Sequence, residues 1–176
     1  MQFKIGEQVV HPVFGVGTVK TYTEQQFAGD QARYYYEVAT SGPTVWVPIN
    51  AQGSTVLRRI SSKATLDECR SVLTSKPLTL DKNRQMRQLE LATRLKDGSL
   101  TARCEIVRDL TAESRRKPLG ANDGLLLKKV TKVLSEEWAA AEGVTTTRAV
   151  HEIEDLLQAG RRDVEKNGAR TAGWSA

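Results

Sequence analysis

Lys4–Val19 reads KIGEQVVHPVFGVGTV, and this stretch decides the fold. Val9, Val10, Val13, Phe14, Val16 and Val19 set apolar side chains in a strand–turn–strand pattern. Pro12 has no N–H to give to a sheet ladder, so it belongs at a strand end or an edge. Gly15 and Gly17 permit the tight bend and close backbone approach that a small curved sheet requires. Arg33–Ala39, RYYYEVA, is rich in aromatic and β-branched residues, and Thr44–Ile49, TVWVPI, follows after Ser41-Gly42-Pro43. Short strands punctuated by glycine turns predict a small SH3- or Tudor-like β-barrel over residues 1–60.

Two features of this region are candidates for contact with a partner. Glu24–Asp30, EQQFAGD, forms a loop between strands, and Phe27 is isolated there among polar neighbours. It is either a core plug or an exposed contact aromatic. Trp46 alternates with Val45 and Val47, so its side chain points to the opposite face from theirs. If the valines face the core, Trp46 faces outward, where an exposed tryptophan on an edge strand is a contact residue. The alternative is a tryptophan that covers the barrel's mouth.

The composition changes after the polar connector Ser61–Ala64. Leu66, Cys69, Val72 and Leu73 recur at helical spacing behind Thr65, a possible N-cap, and Lys76-Pro77 ends that helix. Asp81 is placed to cap a second helix, which runs to about Lys96 with Leu89, Ala92 and Leu95 as its stripe and Asp97-Gly98 as its stop. Lys82, Arg84 and Arg87 cluster in its first turns. Ser99 caps a third helix that ends near Arg115-Arg116-Lys117. Asn122 starts a fourth, with Leu126, Val130, Val133, Leu134 and Trp138 on its apolar face and Gly143 as its stop. Thr145 or Thr146 caps a fifth, carrying Ala149, Ile153, Leu156 and Leu157. From Gly160 onward the sequence is polar and glycine-containing, which predicts a flexible tail over 161–176 that includes Trp174. The fold class is therefore α+β in two domains: a β-domain over 1–60, then a bundle of about five helices over 65–160.

The chain has 176 residues, 39% hydrophobic and 27% charged, an ordinary globular mixture. Its net charge of +5 favours a polyanionic partner without requiring one. Residues 1–59 carry five basic and four acidic residues, so most of the excess lies in the helical part. Cys69 and Cys104 match no metal spacing and read as buried small hydrophobes in a reducing cytosol. No run approaches the ~20 apolar residues of a membrane span. The N-terminus lacks a signal peptide's apolar stretch, so a cytoplasmic location is expected.

No catalytic constellation emerges. His11 and His151 fall in different domains, and neither phosphate-loop nor nucleophile-elbow spacing occurs. Glu105 and Asp109 share a helical face, where salt bridging is the stronger reading than metal binding without His or Cys partners. The expectation is a non-enzyme that acts as a monomer, with no cofactor, metal, membrane or small-molecule substrate.

KIGEQVVHPVFGVGTV followed by TVWVPI resembles the N-terminal, RNA polymerase-interacting domain of the CarD/CdnL family of bacterial transcription regulators. Glu105–Leu110, EIVRDL, and the helix over Leu125–Ala141 are similar to that family's helical C-terminal domain. The resemblance implies that the barrel docks on the polymerase β subunit by lending it a strand edge, here Thr44–Pro48, so that Val45, Trp46, Val47, Pro48 and the loop with Phe27 would form the polymerase contact. It implies a more apolar contact at Trp46, where relatives often carry arginine. It also implies that the helical domain lies on promoter DNA at the upstream edge of the melted −10 region, where a tryptophan near the start of the second helix wedges into the minor groove. Counting back from Gly98, that position is Arg84, and no tryptophan lies between Pro77 and Gly98. Arginine can enter a narrow minor groove but cannot fill an unstacked step. Lys82, Arg84 and Arg87 thus keep basic character for DNA contact, with a solvated face as the alternative. Three functional readings stay open: a polymerase-bound regulator of open-complex stability, a docking adaptor on polymerase without wedge activity, and an RNA-binding module of the KOW kind, against which the β-domain's charge of only +1 argues.

Overall fold

A computed structural model describes residues 2–26, 32–50 and 52–172, except for the side chains of 166–172. The chain divides into two compact units, Met1–Ile60 and Ser61–Ala176. The first holds strands β1 (Gln8–His11), β2 (Gly15–Gln25), β3 (Arg33–Thr40), β4 (Thr44–Pro48) and β5 (Arg58–Arg59). They form one antiparallel sheet in the order β4-β3-β2-β1-β5. Pro12 follows the last residue of β1, and Gly15 turns the chain at φ +75°. Gly17 leaves no room for a side chain, because a Cβ there would lie 2.5 Å from Val38 Cγ1 and 3.0 Å from the Ala39 carbonyl oxygen.

The β core is Phe3, Val9, Val19, Tyr36, Val38, Val47 and Leu57. Phe3 and Leu57 fall outside the strand patterns that the sequence displays. Phe3 meets Tyr36 edge to face at 5.9 Å, and the amides of Gln2 and Phe3 both donate to the Tyr36 hydroxyl. The chain's start is thereby tied to the centre of the sheet.

The second unit holds α1 (Lys63–Thr74), α2 (Arg84–Lys96), α3 (Leu100–Arg116), α4 (Ala121–Glu142) and α5 (Thr146–Ala172). A β-domain followed by five helices matches the expected fold class. The helix starts differ in detail. Ser62, not Thr65, caps α1, and its hydroxyl accepts from Thr65 N. Asn83, not Asp81, caps α2, while Asp81 accepts from Asn83 N one step earlier. α4 begins after Gly120 without a side-chain cap, one residue ahead of Asn122. Thr145 is the residue that caps α5.

Two further expectations are corrected. The inward stripe on α2 is Leu91-Leu95 rather than Leu89-Ala92-Leu95: Leu91 is fully buried and Leu95 packs against the core as expected, whereas Leu89 is 63% exposed and Ala92 is exposed. Leu89 lies about half a turn away from Leu91, so a stripe begun at Leu89 misses the inward face until it reaches Leu95. The expected break at Gly160 is absent: α5 passes through Gly160 and continues to Ala172, so residues 161–172 are helical. Gly160 is a contact residue rather than a breaker: a Cβ there would lie 2.6 Å from Thr74 O on α1.

The helical core gathers around Trp138, Leu66, Leu73, Leu91, Ile106 and Leu134. Both cysteines are buried within it as free thiols. The hydrogen bond with Cys69, reinforced by burial, pushes the Cys104 thiol up and away from thiolate character. Several buried charges are paired. Glu137 meets Arg103 at 2.9 Å and accepts from the Ser61 hydroxyl at 2.6 Å. Arg70 gathers Asp67, Glu142 and Glu152 beside the Trp138 ring. His151 is exposed next to Glu154, while its sequence neighbour Glu152 turns inward to accept from the Trp138 indole.

Candidate docking edge and nucleic-acid surface

β4 is an outer strand of the sheet. Ile49 N donates to Tyr34 O at 2.9 Å, and Val47 and Val45 face Tyr36 and Val38 in the same register. Hydrogen-bonded pairs alternate along an antiparallel ladder. The peptide groups of Val45, Val47 and Ile49 therefore turn toward β3, and those of Thr44, Trp46 and Pro48 turn away from the sheet. Pro48 sits where its missing N–H costs the ladder nothing. The outward rim thus offers N–H and C=O at Thr44 and Trp46, and only C=O at Pro48.

The side chains follow the same alternation. Val47 is 2% exposed and packs in the core, Val45 packs against it, and Trp46 is 39% exposed on the other face. Glu37 lies across the ladder from Trp46, and Tyr35, nearly covered, lies across from Pro48. Tyr35 and Glu37 complete this surface, although the sequence reading did not single them out. Their only signal there was RYYYEVA alternation, which places them on the face away from Tyr36 and Val38. Phe27 lies outside the described residues.

His11 holds the opposite end of the sheet. Its Nδ1 accepts from the amides of Val13 and Phe14 at 3.1 and 3.2 Å, and its ring lies tilted against that of Phe14 at 5.0 Å. Nδ1 must be unprotonated to accept, and burial pushes the imidazole pKa down from 6.5. His11 is a turn-forming group.

The second candidate surface is the start of α2. Asn83 Oδ1 accepts from Gln85 N and Met86 N, which leaves Lys82 and Arg84 projecting on either side of the cap. Both are exposed, and neither has an ion-pair partner among the described residues. Arg87 differs. Its guanidinium meets the buried carboxylate of Asp123 at 2.8 Å and donates to Asp81 O at 2.8 Å. It joins the start of α2 to the start of α4 and is only 15% exposed, so its charge is already neutralised.

A second ionic cluster holds the approach to α2. Asp109 accepts from Leu78 N and from Arg108 Nε through Oδ1, and from Arg94 Nη2 through Oδ2. This carboxylate is fully buried, so the salt-bridge reading of Asp109 describes its geometry. Among the described residues no group of three or more His, Cys, Asp or Glu is placed to hold a metal, and no helix is long and apolar enough to cross a membrane.

The molecule is thus a two-domain protein, with an open-edged β-domain followed by a helical unit that carries basic residues at the start of α2. The comparisons name its family. Residues 3–61 match the CarD-like/TRCF RID domain, and residues 68–154 match the C-terminal domain of CarD. The chain belongs to the CarD family of transcription regulators. It is similar to the protein described as "Putative transcription factor YdeB" of Bacillus subtilis (strain 168), at 24% identity over 144 residues, covering 81% of this chain and 94% of that protein.

Proposed function

We propose that this regulator binds the β subunit of RNA polymerase through the β4 edge and touches promoter DNA through the start of α2, modulating open-complex stability without catalytic chemistry. The observation that carries the reading is the rim of β4, where two outward peptide groups stand beside the exposed indole of Trp46. A partner strand gains main-chain hydrogen bonds there, and alternate side chains supply selectivity. At the start of α2, Lys82 and Arg84 are the two free cations suited to phosphates, while Arg87 acts as a structural brace.

The test measures two quantities on the full chain. Trp46→Ala should keep its fold and lose polymerase capture. Arg84→Ala should retain capture and shorten the lifetime of the promoter complex, with an effect that shrinks as salt rises. Unchanged lifetimes with intact capture would instead favour a docking adaptor, a reading that the arginine in place of a wedging tryptophan already supports.

A further inference from the structure

α1, α3 and α5 run parallel, with α1 packed against both of the others. Cys69 faces Thr101, and Ser75 meets Arg108, so α1 and α3 advance together. Arg70 meets Glu152, and Thr74 meets Gly160, so α5 does the same. α1 then stops at Thr74, and Pro77 prevents its continuation, while α3 runs on to Arg116 and α5 to Ala172. Beyond Thr74 the two longer helices flank the place that a longer α1 would have filled.

A groove of about 400 Å³ occupies that place. Its walls repeat at helical spacing, with Asp109, Ala112 and Arg116 from α3 and Leu157, Gly160 and Val164 from α5. Along α5 the lining spans two turns, roughly 11 Å. Leu73 closes the inner end. Leu78, 59% exposed, and Val164, 36% exposed, leave apolar surface at the mouth. The charges around it are not balanced. Arg161 is paired with Glu165 and Arg116 lies near Glu113, but Lys76 and Arg115 are exposed and have no ion-pair partner among the described residues.

We propose that this slot docks an amphipathic helix from another polypeptide, one with apolar residues at i, i+3 or i+4, and i+7 and with acidic residues beside them. The slot has the width of a helix because its walls already accept one, α1, further back. Its apolar mouth calls for an apolar face, and the two unmatched cations call for carboxylates on that face's flanks. A second copy of this chain fits poorly, because equivalent basic rims would face each other. A DNA duplex would satisfy Lys76 and Arg115 but leave Leu78 and Val164 uncovered. This inference stands apart from the polymerase reading and does not depend on it.

The test uses the full isotope-labelled chain and a synthetic peptide of about 14 residues, with leucines at i, i+3 and i+7 and glutamates at the remaining solvent positions. Chemical-shift changes should cluster on residues 73–79, 108–116 and 157–165. The double variant Lys76→Glu/Arg115→Glu should weaken binding by about tenfold or more, and Leu78→Ser should also weaken it. Lys128→Glu/Lys129→Glu, on the exposed side of α4, should leave it unchanged. All of these side chains are exposed, so the variants should keep the wild-type circular dichroism.

The proposal fails if the peptide shifts other residues or none. It also fails if a peptide with lysine in place of glutamate binds as well. Concentration-dependent dimerisation that maps to the slot would assign it to a second copy, and shifts there from a DNA duplex would assign it to nucleic acid; either would overturn the proposal.

Discussion

Replacing Trp46 separates the two parts of the proposed edge contact, the indole and the backbone. Trp46 leaves 39% of its surface exposed. A whole tryptophan presents roughly 250 Å², so about 100 Å² remains to be covered by a partner, worth about 2.5 kcal/mol at roughly 25 cal/mol per Å². Trp46→Ala should therefore weaken polymerase binding roughly sixty-fold. Trp46→Pro removes the indole and also the outward N–H. Because that N–H points away from β3, no ladder bond inside the protein is lost. The missing bond to the partner adds about 1 kcal/mol, roughly a further fivefold. Biolayer interferometry with immobilised full-length chain and core polymerase gives both constants, and thermal melts check that the two variants stay folded. Trp46→Pro binding as tightly as wild type, with an unchanged melt, would show that no partner strand pairs with this rim.

Three other outcomes follow from particular contacts. Gly160→Ala should destabilise the helical unit by about 1–3 kcal/mol in urea unfolding, because the new methyl must displace the Thr74 carbonyl. Arg87→Ala should lower stability by about 2–4 kcal/mol, since it leaves the Asp123 carboxylate buried without its cation, whereas Arg84→Ala should leave the melt unchanged. A short promoter-complex lifetime for both variants with no stability loss in either would refute this division of roles. His11 gives the pH dependence. Its folded-state pKa is lowered, so the unfolded chain binds the proton more readily and stability rises with pH in this window. The contribution is complete above the unfolded value of 6.5 and is lost as pH falls toward the folded value. Melts from pH 8 to pH 5 should show acid weakening that His11→Asn reduces, and a folded-state titration of His11 at or above 6.5 would contradict the assignment.

Much of the fold and one part of the candidate site are legible in the residue order. The alternation of Val45, Trp46 and Val47 predicts an outward indole because side chains on a strand have a period of two, and Trp46 is 39% exposed. The helices are equally legible, because their apolar spacing and their Gly98 and Gly143 stops are local properties of the chain. Arg87 is a different case. Beside Lys82 and Arg84 it reads as a third free cation, and nothing nearby in sequence indicates that Asp123, 36 positions away, neutralises it. Leu89 similarly reads as inward, because a short amphipathic pattern does not fix the direction of its core.

By itself the sequence determined the order of elements, their types and approximate limits, and the family to which the chain belongs, since turn glycines, prolines, caps and periodicity act over a few residues. Only the tertiary structure decided which strand is outermost, which cations remain unpaired, and that α5 runs past the end of α1 to leave a slot beside α3. Those outcomes depend on which distant segments meet. A single segment's preferences cannot encode that, because burial and charge neutralisation are properties of the packed whole.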